Sequence, residues 1–517
     1  MVDNAIVQIL ALREIDAFAI MILSIITFFQ QVGFASLEAG SIRAKNVRNI
    51  LLKTVVDKLV CGVFFYCLGF AFAYGQDWKG LIGTSFFALE GSGGDGQAYF
   101  PVLTFFFFGY VFLITSTTIV SGALAERANF VAYLVYTPVM ATIVYPLVSH
   151  WIFSGWLSKK LLNCRYLDFA GGASVHLIGG MGALVASAVI GPRKGRFRDG
   201  RVRHLPGHDI MAVASGTLML WFGWLGFNVA PSFLRGDSKM DIAARALVST
   251  TLAACAGGLT SMAVCAVAHH WSQSGRPIWD LHATYNGIMS GVVVVTSISP
   301  YIEGWGALIL GFLASLVYLG ISLLMVRLRI DDPLDSTAVH AGAATVGLLA
   351  VGILAQPDYI RHYRPDEERI CGGWIYTHSG NQLAVQIIGT VVIAAFSACF
   401  SWITFWFLGR FDLLRVTARE EEAGIDNIDH GGPAYPDFEM RMWQETVGTP
   451  NPEPDLEAFG RVGSTGFDTV RSSFVRALHG DSLVANRDSS PATPSNQAVS
   501  LVSNEANGMA NDIRSNE

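Results

Sequence analysis

Two short stretches decide the fold: DFAGGASVH at residues 168–176 and DSTAVH at residues 335–340. Each sets an acidic residue ahead of a histidine at the head of an apolar run, and the two runs stand five apart. A second pair, Gly33-Phe34 and Gly226-Phe227, follows aromatic-rich segments at the same five-run spacing. An odd number of helices per repeat turns one half upside down relative to the other. This is the inverted-repeat plan, in which a site sits near the membrane midplane where the halves meet.

The count of runs comes from length. Crossing a hydrocarbon core takes about 20 mostly apolar residues, and eleven runs of that size emerge: 15–38, 51–75, 100–124, 130–153, 169–191, 208–232, 242–269, 281–299, 304–326, 337–356 and 382–408. The runs 169–191 and 281–299 are the weakest, being rich in Gly and Ser. Composition agrees. Charged residues make up 15% of the 517-residue chain and hydrophobic residues 52%, against a charged fraction of roughly 25% in soluble domains. The expected fold is an all-α integral membrane protein of eleven transmembrane helices with an inverted five-plus-five repeat. A net charge of −6 makes no case for nucleic acid.

Basic residues set the orientation. Arg43, Lys45 and Arg48 follow run 1, the cluster Arg193 to Arg203 follows run 5, and Arg327 and Arg329 follow run 9. With eleven spans these all fall on one side, and the positive-inside rule makes that side cytoplasmic. The N-terminus is then extracellular and the C-terminus cytoplasmic. The opening MVDNAIVQILALREID lacks the basic segment and cleavage site of a signal peptide. Lys159, Lys160, Arg165, Arg361, Arg364 and Arg369 on the opposite side keep the rule from being clean. Cys164 and Cys371 lie in two outer loops, where a disulfide is chemically allowed; two unpaired thiols are the simpler reading. The other five cysteines lie in apolar runs and read as packing.

The chain divides into an extracellular N-terminus (1–14), a transport domain (15–408), a cytoplasmic region (409–440) and a tail (441–517). The tail has no aromatic residue after Val475 and is expected to be disordered.

Ionisable groups inside apolar runs are costly and therefore functional by default. Eight residues of helix place His176 about 12 Å deeper than Asp168, while His340 enters from the other side. A histidine pair near the midplane can hydrogen-bond to itself, relay a proton or bind metal. One buried histidine is ordinarily a satisfied core residue, but two at repeat-related positions favour a function. No third ligand is apparent, so no metal or other cofactor is expected. Phe108 and Phe112 share a helix face, and run 6 supplies Trp221, Phe222, Trp224 and Phe227. Aromatic faces attract small cations, although for the aromatics taken alone packing or lipid contact is the simpler reading.

Seven segments resemble the ammonium transporter/methylammonium permease/Rhesus superfamily, and specifically its ammonium-transporter branch. They are GFASLEAGSIRAKN (33–46), SGALAERANF (121–130), DFAGGASVH (168–176), WFGWLGFN (221–228), ATYNGIMSG (283–291), DDPLDSTAVH (331–340) and GIDNIDHGGPAY (424–435). The resemblance implies a plasma-membrane homotrimer with one narrow pore per subunit, carrying ammonium and, as a further candidate, methylammonium. It implies twin histidines at His176 and His340, a gating pair at Phe112 and Phe227, and a recruitment vestibule with Asp168, Phe108, Phe153, Trp151 and Ser232. Asp168 either touches substrate or acts through hydrogen bonds at a helix terminus. Gly424, Asp426, His430, Gly431 and Tyr435 resemble a regulatory C-terminal region that docks on a neighbouring subunit, and the tail is a candidate docking site for a cytoplasmic partner.

Three positions depart from that pattern. The vestibule tryptophan falls on Phe153 in the segment HWIF, with Trp151 out of register. A recruitment serine aligns with Pro231, and Ser232 follows one place later. Ile428 stands where plant members carry a phosphorylatable threonine. Trp is the best cation–π partner, so a weaker cation cage and lower affinity are expected. The rival from another class is an ammonium sensor signalling through the tail. A membrane-embedded enzyme lacks a nucleophile–base arrangement, and GIDNIDHGGPAY disfavours a Rhesus-type gas channel.

Overall fold

In the computed structural model of the protein, residues 12–435 are described, apart from 91–98, 237, 272–276, 366 and 368. The divisions at 1–14 and 409–440 are thus seen only in part, and 441–517 lies outside the described residues. Ten helices among them are long and apolar enough to cross a membrane. In chain order these are α1 (Glu14–Ser41), α2 (Ala44–Tyr74), α3 (Phe100–Leu124), α4 (Phe130–Phe153), α5 (Gly172–Ile190), α6 (Ile210–Phe233), α7 (Lys239–His269), α9 (Gly304–Arg327), α10 (Thr337–Leu354) and α11 (Asn381–Arg410). The run 281–299 forms α8 (Leu281–Thr296), which has 16 residues and a length of about 24 Å, short of the roughly 30 Å hydrocarbon core. By length, ten of the eleven expected crossings are therefore met. Two short helices, α12 (Ala418–Ala423) and α13 (Ile425–Asp429), follow α11.

The two halves meet where α1 lies along α6 and where α5 crosses the head of α10. That crossing is close: a Cβ on Gly180 would sit 2.2 Å from the backbone nitrogen of Ala341, the residue after His340. Only glycine admits the second half so near.

Both histidine-bearing helices open in the same way. Each starts with six residues of wide, i→i+5 turn, Gly172–Leu177 in α5 and Thr337–Gly342 in α10, a geometry that recurs at functional sites. An aspartate caps each opening. Asp168 Oδ1 accepts from the amides of Gly171 and Gly172, and Oδ2 from those of Ala173 and Ser174, at 2.6 to 3.1 Å. In α10 the amide of Thr337 donates to Asp332 Oδ2 at 2.8 Å. The counterpart of Asp168 is thus Asp332, eight residues before its histidine, in place of Asp335. The Asp335 carboxylate instead accepts from Ser322 Oγ of α9 at 2.7 Å.

Cys164 and Cys371 form a disulfide, with Cα atoms 5.6 Å apart. This overturns the simpler reading of two free thiols. The partners lie 207 residues apart in the chain, and the return of α11 beside α5 that joins them has no local sequence signal.

Candidate functional site

One cavity lies at the Asp168 end of the aromatic rings. Phe105, Phe153, Asp168, Arg235, Tyr301 and Arg364 are in its wall. Of the aromatic residues expected at a vestibule, Phe153 is in this wall, while Trp151, one helical face away, is not. The Trp151 indole Nε1 donates to the Leu81 carbonyl at 2.9 Å, and its ring packs on Trp156 and Phe396. Ser232 is fully buried, and its hydroxyl has no hydrogen-bond partner among the described residues. Asp168 reaches the cavity wall with both carboxylate oxygens already held by four amides.

Below the cavity the rings close the path. Phe112 and Phe227 stack with centroids 4.0 Å apart and planes 14° from parallel. Phe108 leans on Phe112 at 4.4 Å and on Phe105 at 5.3 Å, forming a continuous aromatic series from the cavity wall to the Phe112/Phe227 stack. Tight stacking leaves no room for a hydrated ion.

Under Phe227 come the histidines. His176 Nδ1 and His340 Nδ1 are 3.3 Å apart, and the rings lie within 15° of parallel. A single proton can occupy that N···N contact, so one ring donates and the other accepts. Trp224 stacks on His176 at 5.1 Å and extends toward His340, while its indole Nε1 donates to Thr296 Oγ1 at 3.3 Å. That hydrogen bond fixes the plane against which both imidazoles rest. Both histidines are buried.

Beyond His340 lies an inner cavity whose wall includes Phe34, Glu38, Thr118, Asn286 and Ser336. A further, polar cavity with Arg193, Arg196, His204, Asp332 and Asp335 in its wall continues toward the ends of the helices. Around it lies a buried charge cluster. Arg193 makes a two-pronged contact to Asp331, at 2.8 and 3.1 Å, and reaches Glu126 at 3.3 Å. Arg43 also pairs with Glu126, and Arg127 donates to the Asp331 carbonyl at 2.6 Å. Burial alone would raise the pKa of Asp331, but Arg193 and Arg127 hold it far below the usual carboxylate range. Glu126 is likewise held down, by Arg193 and Arg43 against its burial.

The C-terminal region docks against this same face of its own chain. Asp426 accepts from the amides of Arg48 and Asn49 at 2.9 and 2.8 Å, capping the first α-helical turn of α2. Asn49 Nδ2 meets His430 Nε2 at 2.7 Å, and Tyr435 lies 5.2 Å from His208, ring to ring. Gly424 has φ +98°, and a Cβ there would stand 2.8 Å from Lys45 Cβ. Gly431 is also left-handed, at φ +71°. Ile428 points outward, 47% exposed.

Sequence reading passed over several of these residues. Glu38, Lys53 and Asp57 are all buried within helices that cross the membrane, beyond the trio of Asp168, His176 and His340. Lys53 and Asp57 carry a sequence signal, each being a charge inside an apolar run, whereas Glu38 stands at the end of its run. Trp224 and Asp332 could be singled out only once the turn of each helix was known.

Ten long apolar helices, with stacked aromatic rings over paired histidines between two cavities, define a multi-pass membrane protein. Residues 17–435 match the Ammonium Transporter Family, and the chain belongs to that family. It is 35% identical over 426 residues to an ammonium transporter of Archaeoglobus fulgidus, a match covering 81% of this chain and 87% of the relative. Among solved structures it superposes on "Sensor Amt Protein" with a TM-score of 0.70 at 28% identity, covering 82% of this chain and 99% of that one. Mep2 of Candida albicans gives a TM-score of 0.70 at 26% identity, over 79% and 88% of the two chains.

Proposed function

We propose that the protein transports ammonium by stripping it of a proton and conducting ammonia. The observation that carries this reading is the His176–His340 contact beneath the stacked Phe112 and Phe227. Ammonium and K⁺ share charge and are similar in size, so a pore that tells them apart must use the one property they do not share, an N–H bond that can be broken. Moving an unpaired ion into an apolar medium costs on the order of tens of kcal/mol in the limiting case, whereas neutral ammonia passes at little cost. In this reading ammonium is collected in the vestibule, loses its proton at the Phe112/Phe227 lid, and crosses as ammonia. The proton follows separately along the imidazoles.

The roles follow from position. Asp168, its oxygens occupied by amides, holds the head of α5 and so aims His176. Phe153 and the neighbouring aromatic rings attract the cation, with less force than an indole would supply. The protein sits in the plasma membrane as a homotrimer, N-terminus outside and C-terminus inside. The Cys164–Cys371 disulfide supports that orientation, because such bonds persist in oxidising compartments. The segment 424–435 regulates the pore through the face it docks on.

In a His176→Ala, His340→Ala double variant, ammonium-driven current in expressing cells is expected to vanish or to give way to K⁺ leak. Unchanged current and selectivity would overturn the mechanism. A sensor is the second reading, favoured by the likeness to "Sensor Amt Protein" and by the long segment after residue 435. Growth rescue of cells deficient in ammonium uptake separates the two, since a pure sensor does not rescue.

A further inference from the structure

The inner cavity below His340 has a carboxylate in its wall. Glu38 of α1 lines the same cavity as His340, yet it is only 1% exposed. Its Oε2 accepts from Thr54 Oγ1 of α2 at 3.3 Å and from Ser121 Oγ of α3 at 3.1 Å. Its Oε1 accepts no hydrogen bond among the described residues. Among the described residues, the charged or titratable groups facing it are Lys53, Asp57 and Lys58 of α2, Tyr133 of α4 and His340 of α10. Asp57 accepts from Thr137 at 2.7 Å, Lys53 donates to the Ala128 carbonyl at 2.9 Å, and Lys58 donates to the Thr54 carbonyl at 2.6 Å.

A carboxylate that served only to hold helices together would commit both oxygens to protein donors, as Asp168 does with four amides. Glu38 commits one. The other oxygen belongs to a group in the wall of a cavity whose further polar lining, Thr118, Asn286 and Ser336, suits water. One oxygen anchored by hydroxyl donors and one left open is the arrangement of a general base.

We propose that Glu38 takes the proton from the His176–His340 pair and hands it to the inner side. The inference rests on the transport reading above and names the residue that completes it. An N–H bond of the imidazolium breaks, its electron pair staying on nitrogen, and an O–H bond forms on Glu38 Oε1 through water in the cavity. The neutral carboxyl then releases the proton to water in the polar cavity beside Asp332 and Asp335. One ammonium entering yields one ammonia and one proton leaving, so atoms and charge balance.

The test uses the full chain in liposomes, recording current on an ammonium pulse and uptake of labelled methylammonium. Glu38→Gln is expected to lower the current at least tenfold with the half-saturating concentration changed less than twofold, and Glu38→Asp to retain current. Ser121→Ala removes a donor that favours the ionised carboxylate, so the pH of half-maximal current moves upward. A Glu38→Gln current within twofold of wild type overturns the role. So does equal loss in Glu38→Gln and Glu38→Asp, or an unmoved pH profile in Ser121→Ala, which also decides the matter if Glu38→Gln fails to fold. Absence of current from the wild-type protein overturns the transport reading itself, which distinguishes the two failures.

Discussion

In the transport reading proposed above, Phe153 is where one side chain sets how strongly the vestibule holds a cation. A benzene ring carries a weaker quadrupole than an indole, and the difference for a partly desolvated cation is about 1 kcal/mol. Phe153→Trp is therefore expected to lower the ammonium concentration for half-maximal flux by roughly fivefold, read from the concentration dependence of current. An unchanged or higher value would show that the ring does not face the substrate. At this scale the histidines were legible, because a titratable group recurring at repeat-related positions is rare by chance. Glu38 was not. It lies at the last residue of run 15–38, where a carboxylate reads as a helix end meeting water, yet α1 continues to Ser41. Asp332 was hidden by Asp335, a nearer acid whose side chain turns to Ser322 instead.

Helix existence was legible from apolar length alone, but helix starts were not, because their caps come from far along the chain. Run 51–75 reads as a helix beginning at residue 51, yet α-helical geometry begins at Val47, four residues earlier, since Asp426 supplies acceptors for the amides of Arg48 and Asn49. Removing a cap costs about 1 kcal/mol. Asp426→Ala is expected to raise amide hydrogen exchange through residues 48–53 several-fold while leaving α5 unchanged, and Asp426→Asn to recover most of the protection. Equal exchange in wild type and Asp426→Ala would mean that α2 holds its first turn without the C-terminal region. α5 teaches the same lesson from nearby: its run reads from residue 169, but the helix starts at Gly172, where Asp168 accepts from the amides of Gly171 and of the first three helical residues.

Across the whole molecule, the charge cluster of Arg43, Glu126, Arg193 and Asp331 joins the loops after α1, α3, α5 and α9. Breaking such a buried pair by removing one charge typically costs about 3–5 kcal/mol. Asp331→Asn is expected to lower the unfolding temperature of the detergent-solubilised protein at pH 7. Because the folded-state pKa of Asp331 is depressed, its contribution is complete above the unfolded value of about 3.9 and is lost only as pH falls through the lower folded value. The gap between wild type and variant should hold steady from pH 8 to 5 and narrow below about pH 4. A gap that closes between pH 7 and 5 would place the stabilising charge on another group. Sequence alone could give the signs of these residues and the side they occupy; their pairing needed the return of the second half beside the first.

The disulfide and this cluster bear on how the protein can move. Cys164 belongs to the first half and Cys371 to the loop ahead of α11, while Arg193 and Asp331 grip the two halves at the opposite face. A transporter that works as a pair of levers opens one mouth by shutting the other, which requires the halves to swing about a fulcrum. A body riveted at both mouths has no such stroke. What remains free to move is the furniture of the passage, rings and protons, whose excursions take far less time than the microseconds to milliseconds of domain motion. Turnover in such a molecule is governed by traffic through a standing corridor.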